Sequence, residues 1–576
     1  MLPYINVPFQ YVAGALGAST DELKLISSFL LSYPLAALLK RVPDAKPALK
    51  NLFIIGSVLD TSLRRSSLIL VRVSAFYLVG LFDLWDGVRT LAITSTVAYC
   101  IASYVQGPFM PWIGFVFLMG HLSVNQLSRQ YRNDPGVVDI TGAQMVLVMK
   151  LTAFCWNVAD GRLPDKDLSE EQKERAIKRL PSLLYFAGYV LFFPSLFAGP
   201  AFDYVDYKRW IDTTMFEMPK GSDPAKKAPT KYKRKIPRSG TPAAWKAATG
   251  LFWILLFLKL SGFYYPDLFT SDQYMTHGFA KRVFMLYLLG FSTRLKYYGV
   301  WSLTEGACIL SGLGYKGVDP ATGKVSWDRL RNVNPWGVES AQNTRAYLGN
   351  WNINTNNWLR NYIYLRVTPK GKKPGFRASM ATFVTSAFWH GFYPGYYLTF
   401  VLASFVQTVA KNCRRYLRPF FLDPKTTQPT IYKIYYDIFS WFITQITFSF
   451  ATAPFVLLTM PASLLVWTRV YFYAVIGTAL ATGFFASPAR PFFINKLNKR
   501  SGNTAGGLQR THSNESLAGR EPLLGLPPDP QEEFAEIVEE VKAEMEARQR
   551  KGMSRANTMP ESSTKSIYPR NISSAK

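Results

Sequence analysis

Five asparagines crowd the stretch WNINTNNWLRNYIYLRV at 351–367, and a lone histidine, His390, stands in the apolar run AFWHGFYPGYY at 387–397. Carboxamides and imidazole are costly in an apolar interior unless something there uses them. A neutral histidine can take a proton from a hydroxyl, and an asparagine can donate to a developing oxyanion, or orient a reactant, without changing charge. That combination suits acyl transfer to an alcohol in which the acceptor itself attacks. A covalent scheme would need Ser386 or Cys308, and neither lies in a nucleophile motif such as GxSxG. On residue types alone, His390 reads equally well as a structural histidine.

The elements around these residues decide whether they can meet. A helix from Asn352 to Val367 would travel about 22 Å, and a return helix from Ala378 to His390 about 18 Å. The linker TPKGKKPG between them, with two prolines and two glycines, suits a reversal. Antiparallel helices of those lengths bring Asn352 and His390 to similar depth, with Asn356 one turn from Asn352 on the same face. Gly391, Pro394 and Gly395 end the second helix, and Trp389 and Tyr393 flank the histidine, as in a helix broken to admit a ligand. Other ionisable residues in or beside apolar tracts are His121, Asp139, Lys150, Asp160 and Glu305, the last near Trp301 in VWSLTEGAC. Each is a site candidate because charge in a membrane is costly. The competing explanation for each is a bond between packed helices.

A chain of 576 residues, 48% hydrophobic and 15% aromatic, in which apolar tracts alternate with short charged connections, has the profile of a multi-pass membrane protein. The clearest tracts cover 67–82, 91–104, 110–122, 183–202, 247–265, 283–291, 397–409, 438–460 and 464–485, with weaker ones at 23–39, 52–59, 145–155 and 303–313. Several are shorter than the roughly 20 residues of a simple crossing, which predicts broken or re-entrant helices shielded by protein. The expected fold is an all-α bundle of about 11 transmembrane helices around a central chamber. Residues 1–19 read as an N-terminal segment without the pattern of a removable signal peptide, 20–487 as the membrane-embedded domain, and 488–576 as a largely disordered tail. Within that tail Phe534, Ile537, Val538, Val541 and Met545 mark one amphipathic helix near 532–550.

The net charge of +28 raises the question of nucleic acid, but its placement answers otherwise. The tail is nearly balanced, and the excess sits in loops of the membrane body such as KGSDPAKKAPTKYKRKIPR at 220–238 and RVTPKGKKPGFR at 366–377. This fits cytosolic loops beside anionic headgroups, not a nucleic-acid partner. Four dispersed cysteines show neither disulfide nor metal spacing.

The same motifs carry a resemblance. WNINTNNWLRNYIYLR followed by SAFWHGFYPGYY resembles the membrane-bound O-acyltransferases, specifically their lysophospholipid acyltransferase branch, as do LFAGPAFDYVDYKRW, DITGAQMVLVMKLTAFCWNVADG and KYYGVWSLTEGACILSGLGY, in the family's order. The likeness covers roughly 20–485. It implies a multi-pass endoplasmic-reticulum enzyme whose helices surround a chamber joining an acyl-CoA route to an acceptor route, with His390 and Asn352 as the catalytic pair. It further implies transfer of a fatty acyl chain from acyl-CoA, a co-substrate and not a bound cofactor, to the free sn-2 hydroxyl of a lysophospholipid, in phospholipid remodelling and synthesis. Asn356, Trp301, Glu305, Asp139, Trp389 and Tyr393 are expected to line the substrate site, and Lys370, Lys372, Lys373, Arg377, Arg360 and Arg366 are candidates for CoA phosphates. The rival readings are another acceptor (diacylglycerol, sterol or protein) and a polytopic transporter. Headgroup preference, chain preference and oligomeric state are not legible.

Overall fold

The computed structural model describes residues 4–16, 19–55, 74, 76–132, 137–217, 230, 234–319, 322–368, 375–423, 428–487, 492–493 and 495–496. Among these, β structure amounts to a two-residue antiparallel pair, Gly317–Val318 with Val325–Ser326, and two isolated bridges. Everything else of length is helix: α1 (Thr20–Leu39), α2 (Trp85–Tyr104), α3 (Met110–Arg132), α4 (Thr141–Gly161), α5 (Gly240–Ser261) and α6 (Phe279–Ser311) form the first part of the body. After a stretch of short helices come α7 (Ile353–Leu359), α8 (Phe376–His390), α9 (Pro394–Tyr416), α10 (Lys433–Leu457), α11 (Met460–Arg469) and α12 (Tyr473–Ala486). The tail helix near 532–550, the basic loop through residue 229 and Lys370, Lys372 and Lys373 lie outside the described residues.

By length and apolarity alone, four helices among the described residues can cross a membrane: α1, α4, α5 with its continuation to Thr270, and α10. The α11–α12 pair, bent by 79°, would make a fifth. This supports a polytopic membrane protein but not the expected number of about eleven. The shortfall has a physical origin. Helices α2, α3, α6 and α9 are long enough, yet they carry polar or charged residues such as the buried Thr94, Gln126, Arg294 and Ser404, which lower their apolar content.

Two tracts expected as separate spans, 283–291 and 303–313, belong largely to the single 33-residue helix α6, about 50 Å long. The charges between them do not end the helix because they are paired. Arg294 makes a bidentate ion pair to Glu339 at 2.7 and 2.8 Å, and Lys296 meets Glu22 at 3.0 Å. Conversely, the tract 183–202 is not one span: its helix stops at Val190, and Pro194 opens a separate 3-10 turn at Phe193–Ser195.

The body's centre is aromatic. Helix α5 lies along α6 with Trp253 edge-on to Tyr298, their centroids 5.7 Å apart. Tyr298, Trp301, Val338, Tyr347 and Phe448 pack into one cluster that receives Trp351, the residue before Asn352. A second cluster joins α6, α9, α10 and α11, with Phe450 stacked on Trp467 at 4.8 Å.

Candidate active site

His390 is the last residue of α8, and Gly391 follows at φ 131°, a conformation a side chain would resist. The backbone therefore turns away at once and leaves the imidazole at a helix end, half-buried among Trp389, Tyr396, Phe400 and Phe455, whose ring centroids lie 4.7–5.6 Å from its own. Two contacts fix this end. The Trp389 carbonyl accepts from Gln126 Nε2 at 2.6 Å, and the Trp389 indole N–H donates to the Met145 carbonyl at 3.1 Å.

Asn352 is the N-cap of α7 and sits at φ 46°, ψ 52°, the left-handed region that asparagine tolerates better than most residues. Its carboxamide makes no capping hydrogen bond to its own helix. The expectation of one regular helix from Asn352 to Val367 needs correction: α7 runs only to Leu359 and continues as a π-helical turn, Arg360–Tyr364. The wider turn places both Tyr362 and Arg366 against α4, where Tyr362 donates to Asn157 at 3.1 Å and Arg366 grips Asp160 at 2.8 and 2.5 Å.

Residues near each of the two candidates reach the same helix, α4. Thr355, three residues after Asn352, donates to Met149 Sδ at 3.3 Å, while Trp389, next to His390, is bonded to Met145 one turn away. Trp358 of α7 completes the junction against Trp389, centroids 6.0 Å apart. Aromatic rings pack about both positions separately: Trp351 lies 5.0 Å from Trp301 and 5.6 Å from Tyr297, and Tyr396 flanks His390 at 5.6 Å.

The other predicted residues fall into distinct places. Trp301 braces Trp351, and Tyr393 precedes α9 with its ring edge-on to Tyr396 at 6.1 Å. Asn356 uses its amide nitrogen on the Leu348 and Trp351 carbonyls at 2.6 and 2.7 Å, closing the turn that leads into Asn352. Glu305 is fully buried one turn beyond Trp301 with the Lys246 ammonium 2.9 Å away. Asp139, two residues before α4 begins, accepts from the Thr141 N–H at 3.0 Å and faces Arg129 at 3.6 Å and Arg132 at 3.9 Å. Of the candidates for CoA phosphates, Arg366 is committed to Asp160 and lies 4.3 Å from the centre of the Trp156 ring, Arg360 donates to Asn361, and Arg377 is exposed. His121 bonds Thr94 across helices at 3.0 Å, and Lys150 donates to the Tyr189 carbonyl between the rings of Tyr189 and Phe202.

Sequence reasoning missed Gln126 and Asn332. Gln126 lies just past an apolar tract, where a glutamine carries no signal of its partner. Asn332 sits in DRLRNVNPW, which reads as an ordinary loop, yet it bonds the first residues of α7.

A largely helical body with several helices long and apolar enough to cross a membrane is that of a polytopic membrane protein. Comparison with known proteins agrees: the chain belongs to the membrane-bound O-acyltransferase family, whose model matches residues 134–452. Its similarity extends to the Lysophospholipid acyltransferase of Schizosaccharomyces pombe, 42% identical over 86% of this chain and 92% of the relative. The Lysophospholipid acyltransferase of Saccharomyces cerevisiae is 40% identical over 89% and 85%. The human Membrane-bound glycerophospholipid O-acyltransferase 1 is 33% identical over 67% and 77%.

Proposed function

We propose that this protein transfers a fatty acyl group from acyl-CoA to the free sn-2 hydroxyl of a lysophospholipid in the endoplasmic-reticulum membrane, with the tail beyond residue 487 on the cytosolic side. Relatives named for lysophospholipid acylation support the substrate class. The observation that supports the site assignment is the shared stripe of α4, on which Met145 meets Trp389, next to His390, and Met149 meets Thr355, three residues after Asn352.

In this reading His390 accepts the proton of the acceptor hydroxyl as its oxygen attacks the thioester carbonyl. The Asn352 carboxamide donates to the oxyanion of the tetrahedral intermediate, or orients the acceptor, without a change of charge. Collapse breaks the C–S bond, the new ester remains, and the proton held by His390 leaves with the thiolate as free CoA. The aromatic lining excludes water, which would otherwise hydrolyse the thioester.

The test is acyl transfer in microsomes from labelled oleoyl-CoA to a panel of lysophosphatidylcholine, lysophosphatidylethanolamine, lysophosphatidic acid, diacylglycerol and sterol. Wild type should acylate lysophospholipids in preference to the other two, and His390→Ala, at equal folded protein, should lose about a hundredfold or more in turnover. Near-normal transfer by folded His390→Ala would overturn the assignment.

A further inference from the structure

An asparagine at the first position of a helix ordinarily folds its side chain back onto the free N–H groups of the first turn. Asn352 does not, although it occupies that position. The structure supplies the missing acceptors from elsewhere. The Asn332 carbonyl takes the N–H of Ile353 at 2.8 Å, and the Asn332 side-chain oxygen takes the N–H of Asn354 at 3.1 Å. The same oxygen also accepts from Asn354 Nδ2 at 3.1 Å, which ties the two segments together a third time. Asn332 is buried, 3% exposed, so these bonds do not compete with bulk water.

We infer that Asn332 is a positioning residue for the reaction: it caps α7 in place of Asn352, so that the Asn352 carboxamide is released from its local duty and free to face the reacting groups. The left-handed backbone of Asn352 belongs to the same device. At φ 46° the residue turns the chain into α7 from the turn closed by Asn356, and Asn332 holds the two N–H groups that follow. Without the acceptor on Asn332, the partly buried N–H of Asn354 loses its partner, and the side chain at the N-cap, here Asn352, is the group that ordinarily takes an N–H of the first turn. The carboxamide oxygen would then be engaged by the helix and withdrawn from the reacting groups. The inference rests on the reading that Asn352 takes part in the reaction.

The experiment measures kcat and the KM for each substrate with the full-length protein in microsomes, normalised to folded enzyme. Asn332→Ala, and Asn332→Ser, whose side chain is too short to reach Asn354, should lower kcat by about tenfold to a hundredfold, the scale expected for a small misplacement of a reacting group. KM for oleoyl-CoA and for the lysophospholipid should stay within about twofold, and Asn332→Asp, which keeps an acceptor at the same place, should recover most of the turnover. Ser169→Ala, which removes the cap of the surface helix Glu170–Arg175, controls for the general cost of a lost cap and should leave kcat unchanged. Asn332→Ala combined with Asn352→Ala should fall no further than Asn352→Ala alone. Wild-type kcat in Asn332→Ala or Asn332→Ser, a loss explained wholly by less folded enzyme, or an additive loss in the double variant would overturn the inference. Full turnover by Asn352→Ala would instead overturn the reading beneath it, and the inference with it.

Discussion

Gly395 offers a test whose size follows from the coordinates. It lies in the first turn of α9, five residues after His390, where α9 meets the end of α10. A Cβ added there would stand 2.0 Å from the Pro454 carbonyl oxygen, 2.8 Å from its carbon and 2.9 Å from the Leu458 oxygen. All three are backbone atoms and cannot rotate aside, so Gly395→Ala forces α9 away from α10 by roughly 1.5 Å to restore ordinary contact. The shift also breaks the bond from the Gly395 N–H to the Leu458 carbonyl, now 2.8 Å long. Overpacking costs about 1–3 kcal/mol and the buried bond about 1 kcal/mol more, so a loss of about 2–4 kcal/mol of stability is expected. The consequence for chemistry is of similar size to that for folding. Tyr396 follows directly, and its ring lies 5.6 Å from that of His390, so a displacement of this size moves one wall of the site. Displacements near 1 Å can cost about a hundredfold in rate. Thermal melting of the detergent-solubilised protein and acyl transfer per folded molecule measure the two effects separately. Wild-type stability together with wild-type turnover in Gly395→Ala would show that the α9–α10 junction does not hold the site as argued.

Two further substitutions separate architecture from chemistry. Asp160 and Arg366 form a largely buried ion pair, so Asp160→Ala strands a guanidinium and should destabilise by about 3–5 kcal/mol, whereas Asp160→Leu with Arg366→Met should recover most of that in a melting assay; a double variant no better than the single would refute the pairing argument. His121 is engaged with Thr94 between α2 and α3, so His121→Leu should cost about 1 kcal/mol and leave turnover within about twofold, and a tenfold loss per folded enzyme would place His121 in the reaction.

What the sequence made legible was the company of residues that do not belong in an apolar interior. Asn352 and His390 stood out by type, and the helix-breaking set Gly391, Pro394 and Gly395 marked the end of α8, which the structure places at His390. Less legible was anything that depends on a partner far along the chain. Arg294 reads as a charge that interrupts an apolar run, and only the carboxylate of Glu339, 45 residues away, turns it into a buried part of an unbroken helix. The number of spans suffers for the same reason: a hydropathy pattern prices each polar side chain as if it faced lipid, and helices such as α3 and α6 turn theirs toward protein. The regular helix expected after Asn352 failed because a sequence of asparagines and tyrosines carries no mark of a π turn. That turn is set by what Tyr362 and Arg366 reach on α4.

These errors share a cause that also explains the asparagines. Asn332, Asn354 and Asn356 spend their amides on backbone groups around one residue, and Asn334 and Asn350 bond each other at 3.0 Å just beside it. Carboxamides suit this work because each both donates and accepts while staying neutral at every pH, so a dense set can be buried without the desolvation cost of ions. Asn352 is set apart from this group by its cap position and by the absence of a capping bond of its own. A cluster that looks like many candidate catalysts therefore divides into asparagines committed to neighbouring groups and one, Asn352, without a capping bond, a division that side-chain type cannot show and hydrogen-bond partners can.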